Sequence, residues 1–196
     1  MEICQKHPGG AEVELSMLFV DVRESTPLAE RVGATEFSRM MNKFYETATD
    51  VLIKTDAFID KLVGDEVIGL YLPIFAGKEH AQRAVEAAGE MLRATGYGDP
   101  GGPWLSIGVG VHTGPAYVGT VSGAEGSVSD FTALGDNMNL AARLVGAAGS
   151  GEALVSDAAY AAAGLSLGLS LGPLEHRDLQ VRGKSDPVGV RVLRIA

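Results

Sequence analysis

Two aspartates stand at the ends of apolar stretches, where a bare carboxylate needs a partner. Asp21 comes near the end of residues 15–22, a run apolar enough for a strand that is buried on both faces. Asp65 follows Gly64 in a two-residue connection between two apolar runs, the pattern of a β-hairpin turn. A charge at the tip of a buried strand is costly unless it is paired. Asp21 therefore either pairs with Arg23 or binds a cation together with Asp65. If no cation binds, Asp65 is simply a residue that favours the turn.

Lys61, Asn139 and Arg143 are the other residues whose type and spacing suit chemistry. Lys61 lies three residues before the Gly-Asp pair of the hairpin. Asn139 and Arg143 are four residues apart in a segment whose apolar residues recur at helical spacing, so one helix face directs both side chains to one target. Helical asparagines and surface arginines are also common without a function, and this pair alone leaves both interpretations open.

The stretches around these residues predict alternating strands and helices. Thr26 and Pro27 have the pattern of a helix start, with Thr26 as the cap. Apolar residues at three- and four-residue spacing then predict a long amphipathic helix that ends at about Lys54. The hairpin follows, and a second amphipathic helix is predicted over residues 78–95.

The C-terminal half is predicted to be richer in strands. Its pattern predicts a strand over 104–112, a turn at 113–115, a glycine-rich strand over 116–121 and a protruding loop at 122–129. After the segment of Asn139 come a strand from 154, a short alanine-rich helix and two strands, at about 173–181 and 188–195. This alternation predicts a sandwich in which helices pack on a sheet.

Length and charge narrow the class of protein. The chain has 196 residues and is expected to form one domain, with 1–13 as a polar lead-in and 14–196 as the domain itself. A net charge of −9 without a basic run argues against a nucleic-acid partner. The single cysteine, Cys4, excludes an internal disulfide framework. Cys4 and His7 have the spacing of metal ligands, but there is no second Cys/His pair, so a frayed N-terminus is predicted rather than a metal-binding module.

The sequence has no signal-peptide pattern, and none of its apolar runs reaches the ~18 residues that cross a bilayer. We therefore expect a cytoplasmic protein with no membrane partner.

Four motifs in this order resemble the catalytic domain of class III nucleotidyl cyclases, over about residues 15–195. They are FVDVREST with Asp21, KLVGDE with Lys61 and Asp65, TALGDNMNLAAR with Thr132, Asn139 and Arg143, and VRGKSDPV. Each motif is weak alone, and four in the correct order are specific. The resemblance implies an α+β fold, a ferredoxin-like sandwich with a mostly antiparallel central sheet flanked by helices.

The activity implied by the resemblance is conversion of ATP to cyclic AMP and pyrophosphate. Asp21 and Asp65, with the carbonyl of Val22, would hold two Mg²⁺ or Mn²⁺ ions. Two bare carboxylates ~4 Å apart repel by about 4 kcal/mol at an effective dielectric of 20, a cost that a dication removes. Asn139 would orient the ribose, and Arg143 would stabilise charge on the α-phosphoryl group.

The resemblance also implies how base and phosphates are bound. Lys61 can only donate hydrogen bonds and the hydroxyl of Thr132 can accept them, which suits N1 and the N6 amine of adenine and favours ATP over GTP. Thr132 is typical of a prokaryotic, bicarbonate-responsive subgroup (IIIb-like). Arg182 would hold the terminal phosphates. Two alternatives stay open: Arg182 is a solvated loop charge, or Lys184 shares or takes the phosphate-binding role.

A head-to-tail homodimer is the assembly that the resemblance implies. Asp21 and Asp65 of one chain would complete a site with the base, ribose and phosphate residues of the other, so that a two-fold dimer has two equivalent sites. The sequence leaves two possibilities open, a free-standing enzyme or one domain of a longer protein with a regulatory domain or partner outside this sequence.

One position departs from the family pattern and leaves other functions open. Glu24 stands where the family has glycine in the phosphate-binding loop, and its carboxylate would repel a triphosphate unless it points to water or pairs with Arg23 or Arg31. A cyclase-like domain that binds nucleotide without turnover is therefore the main alternative. A guanylate cyclase and a diguanylate cyclase are the others, the latter because Val63-Gly64-Asp65-Glu66 imitates its hairpin motif.

Overall fold

The computed structural model describes residues 9–122, 129–164 and 174–195, and within them a sheet of eight strands with helices on both faces. The strands are β1 Gly10–Val22, β2 Phe58–Val63, β3 Glu66–Tyr71, β4 Ile107–Ser122, β5 Ser129–Leu134, β6 Ala153–Ser156, β7 Glu175–Leu179 and β8 Val188–Leu193. The helices are α1 Ser25–Val32, α2 Ala34–Lys54, α3 Pro73–Ala76, α4 His80–Ala94, α5 Asp136–Ala147 and α6 Asp157–Ala163.

The topology confirms the predicted fold class. The strands follow the order β2-β3-β1-β4-β6-β8-β7, and β5 pairs with β4 beside this path. Only the pairing of β4 with β6 is parallel among these strands. The predicted hairpin is present as well, because Val63 pairs with Glu66 across the turn and Gly64 takes a φ of 63°.

The central strand β1 is buried on both faces, as predicted. Its alternate apolar side chains divide between two cores. Leu18, Val20 and Val22 pack with α2, α4 and α6, whereas Leu15, Met17 and Phe19 belong to the core beneath α5. By the same alternation Asp21 lies on the α5 face of the sheet.

Helix α5 lies very close to β4, at the glycines of that strand. A Cβ atom at Gly110 would stand 2.5 Å from the backbone nitrogen of Val145 and 2.8 Å from the carbonyl oxygen of Ala141. A Cβ atom at Gly114 would stand 2.8 Å from the side chain of Asn137. The backbones of α5 and β4 therefore approach closely at these two glycines, which sets the height of α5 above the sheet.

Two predicted segments differ in the structure. The long helix is broken at Gly33, where a φ of 80° ends α1 and starts α2, and α1 is preceded by Glu24 rather than capped by Thr26. The predicted turn at 113–115 is also wrong. These residues continue β4 because they pair with Glu14–Ser16 of β1, a strand that itself begins at Gly10, inside the predicted lead-in.

Some expectations fall on residues outside the described ranges. They are the frayed N-terminus with Cys4 and His7, most of the loop at 122–129, and the first residue of the strand expected from 173.

Replacing Gly110 with alanine tests the packing of α5. We expect Gly110→Ala to lower the free energy of unfolding by about 1–3 kcal/mol, because the added methyl group meets helix backbone that cannot rotate away. Gly146→Ala is the matched control, since nothing lies within 4 Å of a Cβ atom there and alanine favours a helix by up to about 1 kcal/mol. Urea denaturation of both variants measures the difference. Equal stability of the two would contradict the close approach.

Candidate functional site

The two candidate metal-binding aspartates are held side by side by the backbone. The amide of Val22 donates to the carbonyl oxygen of Asp65 over 3.0 Å, which ties the end of β1 to the hairpin turn. The side chain of Asp21 forms an ion pair with Arg23, and the carboxylate of Asp65 accepts a hydrogen bond from the hydroxyl of Ser25. The structure thus brings together the chain segments that carry the two aspartates, and it forms the Asp21–Arg23 pair that was the alternative.

The charges around this pair are crowded and only partly compensated. Burial and the neighbouring carboxylate of Asp65 raise the pKa of Glu66, and the charge of Arg23 opposes this rise. Burial lowers the pKa of Arg23, against the attraction of Asp65 and Glu66. The Nε of Arg23 is buried without a hydrogen-bond partner. One half-buried guanidinium is therefore the cation nearest to three carboxylates.

The donor set fits a hard divalent cation. Asp21 and Asp65 offer carboxylate oxygens and Val22 offers a carbonyl, which are the ligands that Mg²⁺ and Mn²⁺ prefer. In the described parts of the chain no group of three or more His, Cys, Asp and Glu side chains forms a metal cage. A cation here would thus need oxygens from elsewhere, as Mg²⁺ sites that combine one or two carboxylates with substrate phosphates do.

Lys61 and Thr132 lie on β2 and β5, two strands that contact each other. Lys61 forms an ion pair with Asp130 of β5, and this hydrogen bond raises the pKa of the lysine, which keeps it a donor. Thr132 is only 4% exposed, and its hydroxyl lies near enough to Asp60 to lower the pKa of that carboxyl. The structure therefore brings the two predicted base-binding residues into one cluster with two acidic neighbours.

Asn139 and Arg143 lie on α5, as predicted. Asn139 is exposed and Arg143 half-buried. A Cβ atom at Gly183 would stand 3.4 Å from the guanidinium of Arg143, so this side chain lies against the β7–β8 loop. Arg182 is exposed, and it makes no ion pair within the described ranges.

Lys184, the predicted alternative to Arg182, is already engaged. It forms an ion pair with Asp136 at the start of α5, and this contact lowers the pKa of Asp136. The exposed Arg182 is therefore the freer of the two cations of this loop.

Both ends of α5 are fixed by side chains that the sequence pattern did not connect with this helix. At its C-terminal end the guanidinium of Arg23 donates to the carbonyl oxygens of Val145 (3.2 Å) and Ala148 (3.3 Å). At its N-terminal end the ring of His112 bonds Asn137 (3.0 Å) and Ser156 (2.8 Å). Burial lowers the pKa of His112 and keeps the ring neutral. The sequence signal for the contact between His112 and Asn137 was a histidine in an otherwise apolar predicted strand.

Glu24 keeps the backbone shape expected of a glycine. Its φ of 54° and ψ of 37° are in the left-handed region, which β-carbon-bearing residues rarely adopt. Its side chain is exposed and makes no ion pair with the residues described, so it points to water rather than pairing with Arg23 or Arg31. The loop conformation is thus retained, with a carboxylate added beside it.

The predicted residues form three separate groups within one chain. They are the aspartate pair with Val22, the Lys61–Thr132 cluster, and the group of Asn139, Arg143 and Arg182. Among the described residues no hydrogen bond or ion pair joins one of these groups to another.

Comparison with known proteins identifies relatives of the whole described domain. A family model described as "Adenylate and Guanylate cyclase catalytic domain" matches residues 10–190. The chain is 29% identical over 143 residues, 68% of its length, to adenylate cyclase 1 of Rhizobium meliloti. It is also 29% identical over 141 residues, 67% of its length, to an adenylate cyclase of Anabaena cylindrica. These alignments span only 20% and 27% of the two relatives.

Solved structures share the fold across nearly the full chain. A guanylyl cyclase crystal structure superposes with a TM-score of 0.80 at 26% identity, covering 96% of this chain and 95% of the other. The adenylyl cyclase CyaB from P. aeruginosa superposes with a TM-score of 0.76 at 29% identity, covering 95% of this chain and 97% of the other. Among the residues described here, no helix has the length and apolar character needed to span a membrane.

Proposed function

The chain belongs to the adenylate and guanylate cyclase catalytic domain family, and on that premise we propose that it is an adenylate cyclase. The proposed reaction converts ATP to 3′,5′-cyclic AMP and pyrophosphate at sites shared between two copies of the chain. The observation that carries this proposal is the cluster of Lys61 and Thr132, whose hydrogen-bonding character matches adenine.

The base would be recognised by one donor and one acceptor. The ammonium of Lys61 donates to N1 of adenine, which is an acceptor, and the hydroxyl oxygen of Thr132 accepts from the N6 amine. Guanine offers a donor at N1 and an acceptor at O6, so it would meet the wrong partner at both positions.

The aspartate pair would bind the catalytic cations. When bound, two divalent ions would lower the pKa of the ribose 3′-hydroxyl and neutralise charge on the leaving pyrophosphate. Asp21 and Asp65 would supply carboxylate oxygens for them, and Val22 its carbonyl. Since the hairpin turn and the end of β1 share a backbone hydrogen bond, these ligands are positioned together before any ion arrives.

The remaining residues would act on ribose and phosphates. Asn139 would hold the ribose so that its 3′-oxygen faces the α-phosphorus, and Arg143 would stabilise the charge that develops on the α-phosphoryl oxygens. The exposed Arg182 would bind the terminal phosphates as a bidentate donor. The contact of Arg143 with Gly183 supports their action on one triphosphate, because it places both arginines along one loop.

A head-to-tail homodimer would combine these groups. Within one chain the described groups stay unconnected, and the strands that carry the base cluster also expose large apolar side chains. Leu62 and Val63 of β2 are 46% and 57% exposed, and Phe131 and Leu134 of β5 are 43% and 48% exposed. Such side chains on neighbouring strands suit a protein interface.

A nucleotide-binding domain without turnover is the second candidate, and Glu24 is the observation that favours it. Its carboxylate adds negative charge where the triphosphate would bind. All the proposed metal, ribose and phosphate residues are nevertheless present, which favours the enzyme.

Incubation with Mn²⁺ and either ATP or GTP tests the function directly. We expect cyclic AMP and pyrophosphate in equal amounts, at a kcat/KM at least about ten-fold above that for GTP, because two mispaired polar groups penalise guanine. Cyclic GMP as the main product would make the chain a guanylate cyclase. Nucleotide binding without a cyclic product would establish the binding domain instead.

Mixing two inactive variants tests the shared site. Asp65→Ala and Asn139→Ala should each be nearly inactive, and an equal mixture should recover about a quarter of the wild-type activity, since half of the dimers are mixed and each has one intact site. A mixture of Asp65→Ala and Asp21→Ala is the matched control and should stay inactive, because both changes remove the same half of the site. No recovery in the first mixture, with mixed dimers verified by affinity tags, contradicts the shared site.

Glu24→Gly tests the altered phosphate loop. We expect a several-fold higher kcat/KM for ATP, since the change removes a like charge beside the triphosphate and suits the left-handed backbone. Glu24→Gln keeps the backbone preference and removes the charge, so comparing the two variants separates these causes. An unchanged kcat/KM in Glu24→Gly would show that Glu24 does not limit the reaction.

A further inference from the structure

Asp60 occupies an irregular position of β2 that bears on the base cluster. Phe58 and Ile59 pair with Leu70 and Gly69 of β3, and Lys61 pairs with Ile68, so that Asp60 is the extra residue of a β-bulge. Bulges occur beside active sites, where they redirect a side chain.

The bulge directs two consecutive residues to the same neighbour. In a regular strand Asp60 and Lys61 would point to opposite faces. Here the hydroxyl of Thr132 acts on the carboxylate of Asp60 and lowers its pKa, and Lys61 pairs with Asp130. Asp130 and Thr132 are two residues apart on the regular strand β5 and so share one of its faces. The irregularity of β2 is what lets both side chains reach this face.

The environment of Asp60 marks it as more than a surface carboxylate. It is half-buried, and its Oδ1 is buried without a hydrogen-bond partner. Burial raises the pKa of Asp60, while the hydrogen bond from Thr132 and the charge of Lys61 favour the ionised form. A carboxylate is costly to bury in this way. For stability alone, an apolar residue like the others of β2 would suit position 60 better.

We propose that Asp60 is a specificity-determining residue, which fixes the hydroxyl proton of Thr132 and thereby makes the site select a purine with an amine at position 6. This inference rests on the proposed function and deepens it. A threonine hydroxyl alone can donate or accept, so it would tolerate the O6 of guanine as well as the N6 amine of adenine. With its proton held by an ionised Asp60, Thr132 presents only lone pairs to the base. These lone pairs accept from an amine and repel a carbonyl oxygen.

Asp60 acts through Thr132 and does not touch the base, so it is a positioning residue. Its loss should therefore change the choice between nucleotides more than the rate of the chemical step. In Asp60→Asn the side-chain amide can donate to the oxygen of Thr132, which frees the hydroxyl proton for O6 of guanine. We expect the ratio of kcat/KM for ATP to that for GTP to fall about ten-fold, mainly through the KM values, with kcat for ATP within about two-fold of wild type.

Binding measured without turnover gives a second readout. Calorimetric titration with α,β-methylene-ATP and α,β-methylene-GTP, which cannot be cyclised, should show the same loss of preference in Asp60→Asn. Asp50→Asn is the matched control, because this carboxylate is exposed on α2 and, among the described residues, its ion pair is with Lys54 of the same helix. An unchanged preference in Asp60→Asn, or an equal change in Asp50→Asn, overturns the proposal.

A double-variant cycle tests whether Asp60 works through the hydroxyl. Thr132→Val removes the hydroxyl, and adding Asp60→Asn to it should change the ATP-to-GTP ratio no further, since the two residues act as one unit. Independent effects of the two changes would contradict the proposed mechanism. Should thermal unfolding show that Asp60→Asn does not fold, Asp60→Ser, whose hydroxyl also donates, replaces it with the same expected loss.

Failure of this inference differs from failure of the proposed function. If the wild type forms no cyclic AMP, the enzyme assignment fails, while the binding preference still tests Asp60. If the wild type prefers ATP and Asp60→Asn keeps that preference, only the inference fails.

Discussion

The contact of α5 with the glycines of β4 is the constraint on which the rest of the candidate site depends. Because no side chain at Gly110 separates them, the helix backbone rests directly on the sheet. Its C-terminal end thereby comes within reach of Arg23, which also pairs with Asp21. Close packing thus fixes the helix that presents Asn139 and Arg143 relative to the strand that ends in the aspartate pair.

Arg23 adds an electrostatic link between α5 and the aspartate pair. Its guanidinium joins the carboxylate of Asp21 to two carbonyl oxygens at the C-terminal end of α5, where the helix dipole favours positive charge. In the proposed dimer these two contacts serve different sites, since Asp21 would bind cations in one and α5 would serve the other. A change in the charge beside Asp21 would then be felt by the helix of the opposite site, and Arg23 is the physical link through which it would act.

Local patterns predicted those parts of the structure that depend on neighbouring residues. The hairpin at Gly64 and the helix with Asn139 and Arg143 were visible because turn chemistry and helical spacing are local. The continuity of β4 through Pro115 was not, since it depends on pairing with Glu14 of β1, about a hundred residues away. Gly33 did carry a local signal for the broken helix. The four motifs predicted the family, and the roles of the individual residues stay predictions.

The bulge at Asp60 shows why the base cluster was only half predicted. Lys61 was found by its type and its place in a motif, but its neighbour had no distinguishing pattern, because a regular strand would turn Asp60 to the opposite face. Only the pairing of β2 with β3 shows that it shares the face of Lys61. In the proposed enzyme the hairpin would have three functions within six residues. Asp60 would orient the acceptor and Lys61 would supply the donor for one base, while Asp65 would bind cations for the other site. Because one hairpin would serve both sites, a shift of this hairpin would alter base selection and metal binding together.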